Sequence, residues 1–280
     1  MKKIIAVIDG LKYSDSSTNY AVHVAKQTGS HLVGVFLDDF TYHSYKIYEL
    51  VDGRGFVNEE KMSRLQENDD QSREEATHKF SIACQEAGLN FNVHHDRNIA
   101  IHELLHESVF ADLLIIESKE TFTHYEEKLP TRFVRDLLSE VQCPVLVVPR
   151  KFTPYDKAVL LYDGGPASVY AIKTFSYLFA GLLELEVEVV SVKSIKDTLH
   201  VPDNQLMKEF LKRHFPKAVF TVLRGDAENE IVKKLKDNHS DLLIVLGAYN
   251  RGMVSRWFRP SMADILMEEL NKPLFIAHHS

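Results

Sequence analysis

The sequence has few of the features that mark a secreted, membrane-spanning or nucleic-acid-binding protein. Its 280 residues include only two cysteines, Cys84 and Cys143, which argues against a disulfide framework and favours a reducing compartment. No apolar run approaches the ~20 residues that a membrane span needs. The net charge of −7 argues against a general nucleic-acid binder, because affinity for phosphate backbones comes from clustered Lys and Arg. We therefore predict a soluble, cytoplasmic protein that binds neither membranes nor nucleic acid.

Glycine is also absent between Gly88 and Gly164. The loop of residues 117–131, ESKETFTHYEEKLPT, follows a predicted strand and cannot form a glycine-rich phosphate cradle. It carries four glutamates, Glu117, Glu120, Glu126 and Glu127. Their charges would repel phosphate, so we predict no phosphate site in this loop.

What the sequence does contain is a repeat. Both halves alternate helical segments with apolar strands that lack a polar face, as expected for parallel strands buried on both sides. Asp9 and Asp163 each end the first strand of a half, DLLI recurs at the fourth strand, and CPVLVV and KPLFIA form the fifth. Such βα units predict two tandem, doubly wound, five-stranded parallel sheets, in domains 1–150 and 155–280.

The stretch Asp241–Ser261 has the pattern of an anion site. The apolar run Leu242–Leu246 predicts a buried strand, Gly247 ends it, and a polar loop with three arginines follows. Ser261 is the expected N-cap of the next helix, with Asp264 as its capping-box partner. Backbone N–H groups and a helix dipole then point at one spot, although the arginines could equally form a solvated face.

This stretch resembles the signature loop of the universal stress protein family. In that family a glycine ends the fourth strand, a second follows after two residues, and a third plus Ser or Thr follows after nine more. Gly247, Asn250, Pro260 and Ser261 occupy those positions, so the spacing is kept while two of three glycines are replaced. The resemblance covers both halves and implies the adenine nucleotide alpha hydrolase-like fold.

The resemblance also implies a pairing between the halves and a ligand site. The fifth strands, Val145–Val148 and Leu274–Ala277, would pair and make an internal pseudo-dimer. In ATP-binding members, the strand-one aspartate contacts the nucleoside and the glycine loop cradles the phosphates. Carried over, a nucleotide or anion site would consist of Asp163, Gly247, Asn250, Gly252 and Ser261.

Two positions of the Gly247–Ser261 loop weaken the case for a triphosphate. Pro260 has no N–H to offer a phosphate, and Asn250 has a side chain where the family has none. Asp163 could equally be a turn or helix-cap residue of its Asp-Gly-Gly sequence. The first-half loop can be aligned with the family loop in two ways that differ by one residue, and in both alignments every family glycine is replaced. ATP is therefore not expected there in the manner of the family.

A metal site is a rival interpretation. The residues His102–His106 match H-E-x-x-H on a predicted helix, a spacing that could bind zinc with the glutamate as base. The expected core stripe of this helix, which includes Leu104 and Val109, leaves His102 and His106 facing solvent. A third ligand is not evident in the sequence, so a solvated helix face is favoured over a metal site.

The sequence thus predicts a non-enzymatic, stress-response binding or regulatory protein. It needs no cofactor, and its nucleotide site is absent in the first half and degenerate in the second. Two alternatives stay open: weak ATP binding and hydrolysis through the second-half loop, and metal binding through His102 and His106. A nucleotide or other small molecule is the expected partner, and a homodimer is left open. The aromatic stretch 38–57 is expected to pack as a cap or to bind an apolar partner.

Overall fold

The computed structural model describes residues 2–37, 43–44, 50, 58–96, 99–180, 185–194, 200–238, 240–248 and 261–278. The strands in this part of the chain are β1 (Lys3–Ile8), β2 (His31–Leu37), β3 (Phe91–Asp96), β4 (Leu113–Glu117), β5 (Val145–Val148), β6 (Lys157–Leu161), β7 (Glu186–Lys193), β8 (Val219–Arg224), β9 (Leu242–Gly247) and β10 (Leu274–Ala277). The helices are α1 (Asp15–Thr28), α2 (Glu59–Glu86), α3 (Ala100–Ser108), α4 (Arg132–Glu140), α5 (Pro166–Leu178), α6 (Asn204–His214), α7 (Ala227–Lys236) and α8 (Met262–Glu269).

The strands form one continuous sheet in the order β3-β2-β1-β4-β5-β10-β9-β6-β7-β8. Strands β1–β5 are parallel to one another, and so are β6–β10. The halves meet where β5 and β10 pair antiparallel, with Val147 opposite Leu274 and Val145 opposite Ile276. This confirms the doubly wound fold and the predicted pseudo-dimer, because each fifth strand covers an apolar edge of the other. The division at residues 150 and 155 stays a prediction, since strand pairing alone does not show that each half folds independently.

Both faces of the sheet are covered by helices. Side chains of α1, α2, α5 and α6 pack on one face, and side chains of α3, α4, α7 and α8 pack on the other. The central strands are therefore buried on both sides along most of their length, which explains why their sequences lack a polar alternation. In the described part of the chain, no helix has the length and hydropathy needed to cross a bilayer.

The predicted N-cap of α8 is confirmed, and one predicted core residue is wrong. Ser261 caps α8 in a capping box with Asp264, and Gly29 ends α1 in the left-handed conformation. The predicted core stripe of α3 included Val109, but the helix ends at Ser108. Val109 therefore leaves the core stripe and is 58% exposed. Of the aromatic stretch 38–57, only residues 43, 44 and 50 belong to the described part of the chain.

Candidate functional site

The strand order reverses beside β1 in the first half and beside β6 in the second, which is where open α/β sheets bind ligands. At each point, the carboxyl end of the first strand lies next to the carboxyl end of the fourth: β1 beside β4, and β6 beside β9. The two halves place different side chains at these equivalent positions.

In the second half, Asp163 and Gly247 meet at the first turn of α5. Asp163 Oδ1 accepts hydrogen bonds from Gly165 N (2.7 Å) and Ser168 Oγ (2.6 Å). A Cβ built on Gly247 would lie 2.4 Å from the carbonyl carbon and oxygen of Ala167. The structure thus brings two of the predicted site residues together. It also gives each a local role, since Asp163 fixes a turn and Gly247 allows strand and helix to approach closely.

Ser261, the third described residue of the predicted site, already makes the hydrogen bonds that cap α8. Its Oγ accepts from Asp264 N (3.2 Å), and its own N–H donates to Asp264 Oδ2 (3.0 Å). A carboxylate therefore already stands at the positive end of the α8 dipole, where a phosphate would have to bind. Asn250 and Gly252 lie outside the described residues.

In the first half, strand pairing places Glu117 where the second half has Gly247. Glu117 lies opposite Val148, the last residue of β5, as Gly247 lies opposite Ala277, the last residue of β10. The side chain of Glu117 accepts hydrogen bonds from Ser14 Oγ and from Arg150 Nε (3.3 Å). The fourth strand of the first half therefore ends on a carboxylate.

A second carboxylate, Glu120, lies close to Asp9. Asp9 is buried, and its Oδ1 accepts from the backbone N–H groups of Leu11 and Lys12. Burial and the charge of Asp9 raise the pKa of Glu120 from its ordinary value of 4.5 to about 8. Backbone N–H groups and the charge of Lys12 lower that pKa by less. Glu117 and Glu120 thus both lie at the switch point of the first half.

The loop that follows β4 is held against the first half by further contacts. Lys12 Nζ donates to the carbonyl of Thr123, and Thr131, the N-cap of α4, donates to the carbonyl of Glu120. A cleft of about 620 Å³ remains beside the loop. Its charged side chains are Asp15, Glu117, Glu126 and Glu127 against Lys12, Lys119 and Arg150, and the Glu120 carboxyl, whose pKa is raised, also lines it. This excess of acids repels a polyphosphate.

The two histidines of the H-E-x-x-H motif lie on helix α3. His102 and His106 are exposed on α3, and the His106 ring lies 5.8 Å from that of Phe110. Among the described residues, no group of three or more His, Cys, Asp or Glu side chains is arranged to hold a metal ion. The solvent-facing orientation predicted for both histidines is confirmed.

No protein-family model matches the sequence, and no curated protein matches it. Solved structures do match over the full chain. A universal stress protein from Archaeoglobus fulgidus DSM 4304 has a TM-score of 0.71 at 13% identity, covering 99% of this chain and 98% of that one. A candidate universal stress protein from Pseudomonas aeruginosa UCBPP-PA14 has a TM-score of 0.62 at 13% identity, covering 99% and 92%.

The chain has the tandem universal stress protein fold. The cytoplasmic domain of a prokaryotic cation chloride cotransporter has the same architecture, with a TM-score of 0.53 at 11% identity and coverage of 99% of this chain and 95% of that one. The universal stress protein fold therefore occurs in proteins with different tasks, and function has to be argued from the site residues.

We expect the free energy of unfolding to fall as the pH rises, and we expect replacement of Glu120 with glutamine to reduce this fall. Because the pKa of Glu120 is raised in the folded chain, the unfolded chain releases this proton at lower pH, so stability falls between pH 4.5 and about 8. Glutamine keeps an oxygen for the N–H groups of Thr121 and Phe122 and carries no charge. Urea unfolding at a series of pH values measures the slope. Glu126→Gln, an exposed change in the same loop, should keep the wild-type slope, and an unchanged slope for Glu120→Gln would contradict the prediction.

Proposed function

We propose that this protein is a non-enzymatic binding or regulatory module of the universal stress protein type, whose first half does not bind nucleotide. The observation that carries the proposal is the pair of acids at the first-half switch point. Glu117 takes the position of Gly247, and Glu120 lies beside Asp9. A triphosphate bound there would face the carboxylate of Glu117 and the side chain of Glu120 instead of free N–H groups.

The absence of enzymatic activity is part of the same proposal. Phosphoryl transfer needs a positioned metal and groups that stabilise the developing charge. In the second-half site, the Oδ1 of Asp163 already accepts two hydrogen bonds from the α5 turn. A role in the stress response is the expectation that the fold relatives suggest.

A second candidate function is weak ATP binding by the second half. It is favoured by the positions of Asp163 and Gly247, which both lie against the first turn of α5. These two residues match the strand-one aspartate and the strand-four glycine of the family. It is opposed by the carboxylate of Asp264 at the start of α8. We therefore expect at most one nucleotide per chain, bound weakly.

Calorimetric titration with Mg-ATP tests the proposal. We expect either no heat or a single weak event that Asp163→Asn or Ser261→Asp abolishes, because the second change adds a negative charge at the α8 N-terminus. Asp9→Asn, the matched change in the first half, should leave that event unchanged. Two events per chain, or an event lost in Asp9→Asn, would overturn the assignment of the first half. Release of phosphate from ATP above the buffer rate would overturn the non-enzymatic proposal.

A further inference from the structure

A separate cavity lies at the opposite edge of the second-half sheet. It has a volume of about 980 Å³ and is bounded by the amino-terminal ends of β6, β7 and β8 and by the carboxyl-terminal ends of α5 and α6. Asp163 and Gly247 lie at the other ends of β6 and β9, so this cavity is distinct from the candidate nucleotide site. Its size is within the range of pockets that enclose a small organic molecule.

A buried ion network forms one wall of the cavity. Glu188 is 5% exposed, and its two carboxylate oxygens bind Lys157 Nζ at 2.7 Å and Lys234 Nζ at 2.8 Å. Thr221 Oγ1 donates a third hydrogen bond to Glu188 Oε1 (2.6 Å). The three charged groups come from β6, β7 and α7, so the network is fixed by the packing of separate elements.

The network carries a surplus of positive charge. Burial alone would raise the pKa of Glu188, but the hydrogen bonds from Lys157, Lys234 and Thr221 outweigh it and lower this pKa to about 2. Two ammonium groups thus share one carboxylate. Each ammonium has three donors, and both lysines line the cavity. A second anion between them would complete an alternating ring of four charges.

The rest of the wall is largely apolar. Phe179 and Leu185 lie beside the ends of α5 and β7, Phe215 follows α6, and Val219 begins β8 with 61% of its surface exposed. Lys217, His214 and Glu186 also line the cavity. The cavity therefore offers apolar surface next to a surplus of one positive charge, which suits a ligand with an apolar body and a single negative charge.

We propose that this cavity binds an amphipathic monocarboxylate, whose carboxylate bridges Lys157 and Lys234 and whose acyl or aryl body packs against Leu185 and Val219. A monoanion matches the local surplus of charge, whereas a phosphate dianion would exceed it. The inference does not depend on the proposed function, because it concerns the opposite edge of the sheet.

Calorimetric titration of the full chain with octanoate tests this assignment. We expect one binding event for octanoate and a weaker or absent event for acetate, which lacks the apolar body, and for octan-1-ol, which lacks the charge. Equal binding of octanoate and octan-1-ol would overturn the role of the lysines. The absence of any octanoate heat, with the protein folded, would overturn the site.

Substitutions within the network separate ligand binding from structural support. Lys234→Met keeps the aliphatic stem and removes a charged donor, so octanoate affinity should fall about tenfold or more. Lys233→Met, an exposed neighbour on α7, is the matched control and should bind as wild type.

Glu188→Gln removes the competing carboxylate and should strengthen octanoate binding severalfold even though it weakens the fold. Thermal unfolding of each variant verifies that it is folded. Unchanged affinity in Lys234→Met, or weaker binding by folded Glu188→Gln, would contradict the proposal.

Discussion

Gly247→Ala is expected to lower the free energy of unfolding by about 3 kcal/mol or more. The new Cβ would lie 2.4 Å from the carbonyl carbon and oxygen of Ala167 and 2.8 Å from the backbone nitrogen of Ser168. These are backbone atoms of the first turn of α5, and they cannot rotate away as a flexible side chain could. Strand β9 and helix α5 would have to move apart, and Asp163 would lose its alignment with Gly247. Denaturant unfolding followed by circular dichroism measures the loss.

Gly29→Ala is the control for the backbone effect of removing a glycine. Gly29 has a φ of +59°, and a methyl group added to its Cα would have no atom within 4 Å, so the substitution strains only the backbone. That strain costs about 1 kcal/mol. If Gly247→Ala costs no more than Gly29→Ala, close packing of β9 on α5 is not the reason for glycine at residue 247.

Phe275→Ala is expected to destabilise the protein by about 3–5 kcal/mol. Phe275 is fully buried in β10, the strand that joins the halves, and its ring contacts Phe175 at 5.4 Å and Phe179 at 6.0 Å between centroids. Removing the ring leaves a cavity where strands β5, β10 and β9 meet helix α5. Differential scanning calorimetry measures the change in the unfolding temperature.

Phe110→Ala provides the matched control, because Phe110 is 65% exposed just beyond α3. Its loss should change stability by no more than about 0.5 kcal/mol. Equal effects of the two substitutions would contradict the assignment of Phe275 to the core of the junction between the halves.

Most of the fold could be predicted from the sequence because its strands are buried on both faces. That burial makes each strand a continuous apolar run, and a glycine or proline often marks its limits. The pairing of β5 with β10 was implied by the family resemblance, and it agrees with the need of an apolar edge strand for a partner. Val109 was assigned to the core wrongly because the helical period was extended beyond the point where α3 ends.

The chemistry of the sites was less predictable because it depends on contacts between distant segments. The excess of glutamates after β4 was visible in the sequence, but the proximity of Glu120 to Asp9 comes from the path of an irregular loop. Only strand register shows that Glu117 replaces Gly247. Glu188 lies in β7, whereas Lys157 and Lys234 are 31 and 46 positions away along the chain, so no local pattern connects the three residues.

Because β5 and β10 pair antiparallel, the two sides of the sheet at which the strands begin or end differ from each other. We call these two sides the rims of the sheet. Because the strands of the two halves run in opposite directions, the carboxyl ends of β1 and β4 and the amino ends of β6 and β7 lie along the same rim. One rim therefore has the acidic cleft of the first half and the lysine-lined cavity of the second, while Asp163 and Gly247 lie on the other. A partner that covers one rim leaves the opposite rim accessible, so the chain can be engaged from both sides at once.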